Sequence, residues 1–136
     1  MGRDIGGADA PWRAASAQWF TQRLRHSATS AAFLVDDPAL RTVAGAVGAC
    51  DAHALGPANP SGLHGHVTHV STDPRRRRRG HARVCLDALL TWFREEARVT
   101  VVDLNATADG AALYESYGFE APRHPAPRLR TARAPR

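Results

Sequence analysis

Residues Val70 to Leu90 read VSTDPRRRRRGHARVCLDALL, and this segment carries the clearest chemistry in the chain. A β-rich stretch runs into Asp73-Pro74, then five consecutive arginines, then Gly80-His81-Ala82 and an amphipathic helix. The first turn of a helix has backbone N–H groups without intrahelical partners and the positive end of the aligned peptide dipoles. Such a turn receives phosphate, and a glycine followed by a small residue lets phosphate oxygens approach the backbone. The spacing therefore predicts a pyrophosphate cradle fed by a strand.

The elements around this loop follow from periodicity. Asp9 to about Arg25 reads as a helix, with Pro11 in the first turn and Trp12, Ala15, Trp19, Phe20 and Leu24 at helical spacing. Ala31 to Val35 reads as a short strand closed by Asp36-Asp37-Pro38. Arg41 to Ala54 and His64 to Thr72 are the next two strands, separated by a loop rich in Gly, Pro and Asn. Together they predict an antiparallel meander. From Gly80 to Ala97, the side chains Ala82, Cys85, Leu86, Leu89, Leu90, Phe93 and Ala97 make one apolar stripe. Val99 to Leu104 is a buried strand, and a helix between two strands implies a parallel crossover. A short helix capped by Asp109 runs to Tyr117 and ends at Gly118. The tail is rich in proline and arginine, with one weak edge strand near Leu129 and disorder expected at 131–136.

Composition sets outer bounds. A chain of 136 residues with 43% hydrophobic content builds one globular domain, expected over residues 1–130. No apolar run approaches the roughly 18 residues needed to span a bilayer, so no membrane association is expected. The N-terminal residues lack the apolar core of a secretory signal. Cys50 and Cys85 both sit in apolar patterns, so they read as small core fillers in a reduced, cytoplasmic setting. The net charge is +5, with every basic residue an arginine. That bias, with heavy alanine use, reads as GC-rich coding, yet the charge still favours anionic ligands.

Two motifs give the chain a family resemblance. Arg77-Arg78-Arg79-Gly80-His81-Ala82 matches Arg/Gln-x-x-Gly-x-Gly/Ala between a strand and a helix. VVDLNATADGAALYESYGF matches a strand, then a short helix ending Leu-Tyr-x-x-x-Gly-Phe, with Leu113, Tyr114, Gly118 and Phe119 in register. From about Phe33 to Phe119 the chain resembles the GNAT superfamily of acetyl-CoA-dependent N-acetyltransferases. The resemblance implies an α+β fold with a mixed central sheet, flanking helices and strands that splay at the cofactor site. It implies that Val70, Ser71 and Thr72 pair with the pantetheine arm of acetyl-CoA. Arg77, Arg78, Arg79, Gly80, His81 and Ala82 would hold its pyrophosphate, and Asn105 and Tyr114 would flank the thioester.

In the same resemblance Tyr114 is the general acid that protonates the leaving thiolate, since a phenol near pKa 10 keeps its proton at neutral pH. Many relatives place a glutamate base on the strand before the loop. This chain has His64, His66 and His69 there, and His69, nearest the acyl end, is the candidate base. The bland readings are a core tyrosine for Tyr114, a loop-entry residue for Asn105, and solvent-exposed strand histidines. The His-x-His-x-x-His spacing has no acidic or cysteine partner nearby in sequence, so no metal site is assigned.

The resemblance departs at the front. About thirty residues precede Phe33, room for one helix, so the family's first strand and first helix are missing or reduced. These considerations predict acetyl transfer from acetyl-CoA to a primary amine of a small molecule or peptide, by direct attack in a ternary complex. A homodimer is left open. One alternative is a GNAT domain that binds CoA without turnover. The other is a basic nucleic-acid-binding module, disfavoured because no aromatics interleave with the arginines.

Overall fold

The computed structural model describes residues 29–124 and 126–132. The helix expected from Asp9 to Arg25 and the chain end at 133–136 lie outside the described residues. The chain forms two compact units, the first ending at Asn105 and the second beginning at Ala106.

The first unit holds a four-stranded sheet in the order β1-β2-β3-β4. Its strands are β1 (Ser30–Asp37), β2 (Arg41–Ala52), β3 (Leu63–Thr72) and β4 (Val101–Leu104). β1 with β2 and β2 with β3 are antiparallel, as the turn signals between them require. β3 and β4 are parallel, joined through α1 (His81–Glu95). The β1–β2 turn is tied by Asp37, whose Oδ1 accepts hydrogen bonds from the Ala39 and Leu40 amides at 2.8 and 3.1 Å.

The apolar stripe of α1 is buried at Cys85, Leu86, Leu89 and Phe93. Against it lie Val67 of β3 and the small residues Ala44 and Ala46 of β2, whose size lets the helix approach closely. Two glycines make a socket for Phe93. A Cβ at Gly48 would stand 2.6 Å from Phe93 Cζ, and one at Gly65 would stand 2.8 Å from Cε1. These glycines are needed for the space they leave. At the helix end the Val99 amide donates to the Phe93 carbonyl at 2.8 Å, and Arg98 takes a left-handed conformation (φ 58°) that turns the chain toward β4. Val99 is buried as an anchor, and the strand itself starts two residues later than expected.

The second unit contains a 3-10 turn (Ala108–Gly110) and α2 (Ala111–Ser116). Asp109 does not cap this helix: it lies inside the 3-10 turn, and Gly110 occupies the N-cap. The C-terminal end follows the expectation. Gly118 is left-handed (φ 90°), its amide donates to Glu115 O at 2.9 Å, and the Phe119 amide donates to Tyr114 O at 3.2 Å. This pair of bonds is a Schellman cap, and the usual apolar contact is present as an edge-on packing of Tyr114 and Phe119, centroids 6.0 Å apart. The spacing of the Leu-Tyr-x-x-x-Gly-Phe motif is thus that of a helix stop. The edge strand expected near Leu129 does not form among the described residues, and Leu129 is exposed. Among the described residues no helix is long and apolar enough to cross a membrane.

Candidate functional site

The loop between β3 and α1 is built by two aspartates. Asp73 Oδ1 accepts from the Arg75 amide and Nε at 2.9 and 3.0 Å, and its Oδ2 accepts from Arg75 Nη2 at 2.8 Å. Arg76 Nε donates to Asp37 Oδ2 at 2.7 Å, and these side chains are only 22% and 16% exposed. Asp37 thus clamps its own turn with one oxygen and the arginine loop with the other. Two of the five arginines are therefore committed to holding the loop. Residue order marks Asp36-Asp37-Pro38 only as a turn and does not reveal this bond, which joins positions 39 residues apart.

Both carboxyls are held near pKa 2, below the usual 3.8, chiefly by hydrogen bonds from their arginine partners. A carboxylate with a depressed folded pKa contributes stability above the unfolded value and loses it as pH falls toward the folded one. Stability is accordingly expected to decline between about pH 4 and about pH 2. Asp37→Asn keeps an acceptor for the turn amides but removes the charge pair with Arg76. The fall in melting temperature across that window, followed by circular dichroism, is expected to be shallower in this variant than in the wild type.

Beyond Arg76 the loop is open. Arg77, Arg78, Arg79 and Gly80 are exposed. Arg78 (φ 61°) and Gly80 (φ 77°) are both left-handed, which is strained for arginine and free for glycine. The first helical bond runs from the Val84 amide to Gly80 O at 3.0 Å, and no side chain caps the turn that contains His81 and Ala82. A Cβ built on Gly80 meets nothing within 4 Å. Gly80 is therefore required by its backbone conformation, and the space above it is clear.

The β3–β4 ladder runs only from His64 opposite Val101 to Val67 opposite Leu104. β3 continues to Thr72, so Val70, Ser71 and Thr72 lie past the end of β4. Asn105 follows Leu104 immediately and is exposed. A hollow of about 320 Å³ lined by Leu34, Thr42, Gly45, Ser71 and Asp73, among others, lies over the β1–β3 rungs. The strand edge left by β4 is on the other side of β3.

The three strand histidines share one face. Gly65 points at Phe93, so His64 and His66 point away from α1. Spacing alone would put His69 on the opposite face from His66. A bulge intervenes: Gly48 pairs with Val67 and Val47 with His69, skipping Thr68. His69 therefore shares the face of His66 and is exposed. The fold also supplies what the sequence order hid, an acid beside His64: Asp103 Oδ2 lies 3.3 Å from His64 Nδ1. Among the described residues no group of three or more His, Cys, Asp or Glu side chains is arranged to hold a metal ion.

In the second unit Tyr114 is half-buried, and burial pushes its phenol above its ordinary value near 10. Gly110 makes room for it, since a Cβ there would stand 2.8 Å from Tyr114 Cε2. Cys85 is buried and Cys50 half-buried, and burial raises both thiols.

Comparison with known proteins agrees with this arrangement. Residues 7–119 match the model of the acetyltransferase (GNAT) family. A predicted acetyltransferase from Clostridium acetobutylicum, solved with acetyl-CoA, superposes with a TM-score of 0.78 at 20% identity, covering 91% of this chain and 79% of that one. A GCN5-related N-acetyltransferase from Ralstonia eutropha gives 0.73 at 21% identity, covering 90% and 82%. A ribosomal-protein-alanine N-acetyltransferase from Brucella melitensis gives 0.61 at 21% identity, covering 90% and 89%. No curated protein matches the chain. With the family match spanning most of its length and the arginine loop, parallel crossover and capped tyrosine helix all in place, the chain belongs to the acetyltransferase (GNAT) family.

Proposed function

We propose that the protein transfers the acetyl group of acetyl-CoA to a primary amine of a small molecule or peptide, in a cytoplasmic setting. The observation that carries this is the continuous run from Thr72 to Ala82. A strand edge beyond the last β4 rung leads into a glycine turn with clear space above it and an uncapped helix start. These residues fit a coenzyme with an amide-bearing arm and a diphosphate. Backbone groups of Val70, Ser71 and Thr72 would bond the arm as an added strand does. Amides of the Gly80–Ala82 turn would hold the diphosphate, with Arg77, Arg78 and Arg79 adding charge-assisted bonds. Asn105 would orient the acyl end. When bound, acetyl-CoA supplies an acyl group activated as a thioester.

His69 is proposed as the base that takes a proton from the attacking nitrogen, and Tyr114 as the acid that returns one to the leaving sulfur. Burial supports the second role, because a phenol pushed upward in pKa stays protonated at neutral pH. The relatives solved as acetyltransferases support the reaction class, and one was solved with acetyl-CoA. Amine-dependent release of thiol from acetyl-CoA tests the proposal across a panel of primary amines. Release with at least one amine is the expected result. Coenzyme binding without release for any amine would instead favour a CoA-binding domain without turnover.

A further inference from the structure

The sheet ends at β1, and that edge lacks the usual guards. β1 has β2 on one side and, among the described residues, no strand on the other. Its bonding direction is fixed by the Cys50 amide, which donates to Thr29 O at 2.9 Å. In an antiparallel pair, opposed residues exchange both bonds at alternate rungs. Thr29, Ala31, Phe33 and Val35 therefore bond toward β2, and Ala32, Leu34 and Asp36 turn their N–H and C=O groups outward. The irregularity in this ladder lies in β2, where Val43 is skipped, so β1 itself runs unbroken. Edge strands are commonly blunted by lysine, proline, a bulge or shortness. β1 is eight residues long and contains no Lys, Arg, Pro or Gly. The opposite edge, β4, has only four residues.

We propose that this edge pairs with β1 of a second copy of the chain, antiparallel about a twofold axis at Leu34. Ser30 is 3% exposed, so the run open to a partner is Ala31 to Asp37, whose midpoint is Leu34. Leu34 bonds outward, so the central rung is a hydrogen-bonded one. This register sets Ala32 opposite Asp36, Phe33 opposite Val35, and Leu34 opposite its own copy. Each of these pairs shares a sheet face, as opposed residues must. The contact is isologous, so it closes at two copies.

The side chains suit this pairing. Leu34 is 61% exposed, and the twofold covers it with its own copy. Phe33 against Val35 is an aromatic–β-branched pair, formed twice, of the kind that stabilises sheets. Asp36 falls beside an alanine. The two Asp36 carboxylates then stand four residues, about 14 Å, apart along the strands, whereas a parallel alignment would set them about 5 Å apart. Leu34 also lines the hollow over the β1–β3 rungs. A second copy at this edge therefore adds a wall to that hollow.

Sedimentation of the full chain without coenzyme is the test. The wild type is expected to be a dimer. Leu34→Lys, which sets two ammonium groups side by side at the twofold, is expected to be a monomer with the wild-type circular dichroism spectrum. Leu34→Cys places two thiols on one rung, with Cα atoms about 5.5 Å apart, within the reach of a disulfide. Mild oxidation is expected to convert this variant to a covalent dimer. Ala31→Cys, opposite Asp37 in this register, is expected to stay uncrosslinked, as is the wild type with Cys50 and Cys85. A monomeric wild type overturns the proposal. So does a dimer that survives Leu34→Lys, or crosslinking of Ala31→Cys as complete as that of Leu34→Cys. If Leu34→Lys does not fold, the two cysteine variants decide the matter. No coenzyme or amine enters the experiment, so its outcome is independent of acetyl transfer.

Discussion

Tyr114→Phe is expected to bind coenzyme normally and to lose about 10²-fold or more in turnover, the usual contribution of a positioned proton donor. The substitution is clean because everything that holds the ring survives it. The Schellman cap uses the Tyr114 carbonyl, the packing on Phe119 uses the ring, and the notch at Gly110 accommodates the same six carbons. Only the hydroxyl is lost. Because burial raises the phenol above 10, the wild type should show no loss of this acid through neutral and mildly alkaline pH. Steady-state thiol release against pH measures both points. Full turnover in the variant would reduce Tyr114 to the ring that stops α2.

Phe93→Ala is expected to destabilise the protein by about 3–5 kcal/mol, the usual cost of truncating a buried aromatic ring. Phe93 is 1% exposed and its ring fills the space over Gly48 and Gly65. Neither glycine has a side chain that can relax into the void, so the cavity persists. Urea denaturation followed by circular dichroism gives the value. A loss under about 1 kcal/mol would show that α1 re-seats on the sheet without this ring. Because α1 starts at the arginine loop, a seated helix is also what fixes the direction of its first-turn amides.

Much of this was legible in the sequence because local rules decided it. The 3.6-residue stripe from Ala82 to Phe93 and the turn glycines gave α1 and its bounding strands nearly in place. The motif glycines Gly80 and Gly118 both proved left-handed. What was not legible depends on partners distant in sequence. Asp37 clamps Arg76 across 39 residues, and Asp103 meets His64 across another 39. The bulge at Thr68, which brings His69 onto the face of His66, leaves no mark in residue type. Gly48 and Gly65 read as ordinary small strand residues until the ring they admit is known. Asp109 failed as a cap because the chain tightens into a 3-10 turn one step earlier and puts Gly110 at the helix start.

The central claim is that the turn from Arg77 to Ala82 grips the diphosphate of acetyl-CoA so that its acyl group can pass to an amine. Calorimetric titration with acetyl-CoA, followed by thiol release from the same samples on adding primary amines, tests it most directly. The account predicts saturable binding at one site per chain, weakened by added salt because arginines and helix amides face phosphate, and then amine-dependent release. Absence of binding heat at any salt concentration would contradict it.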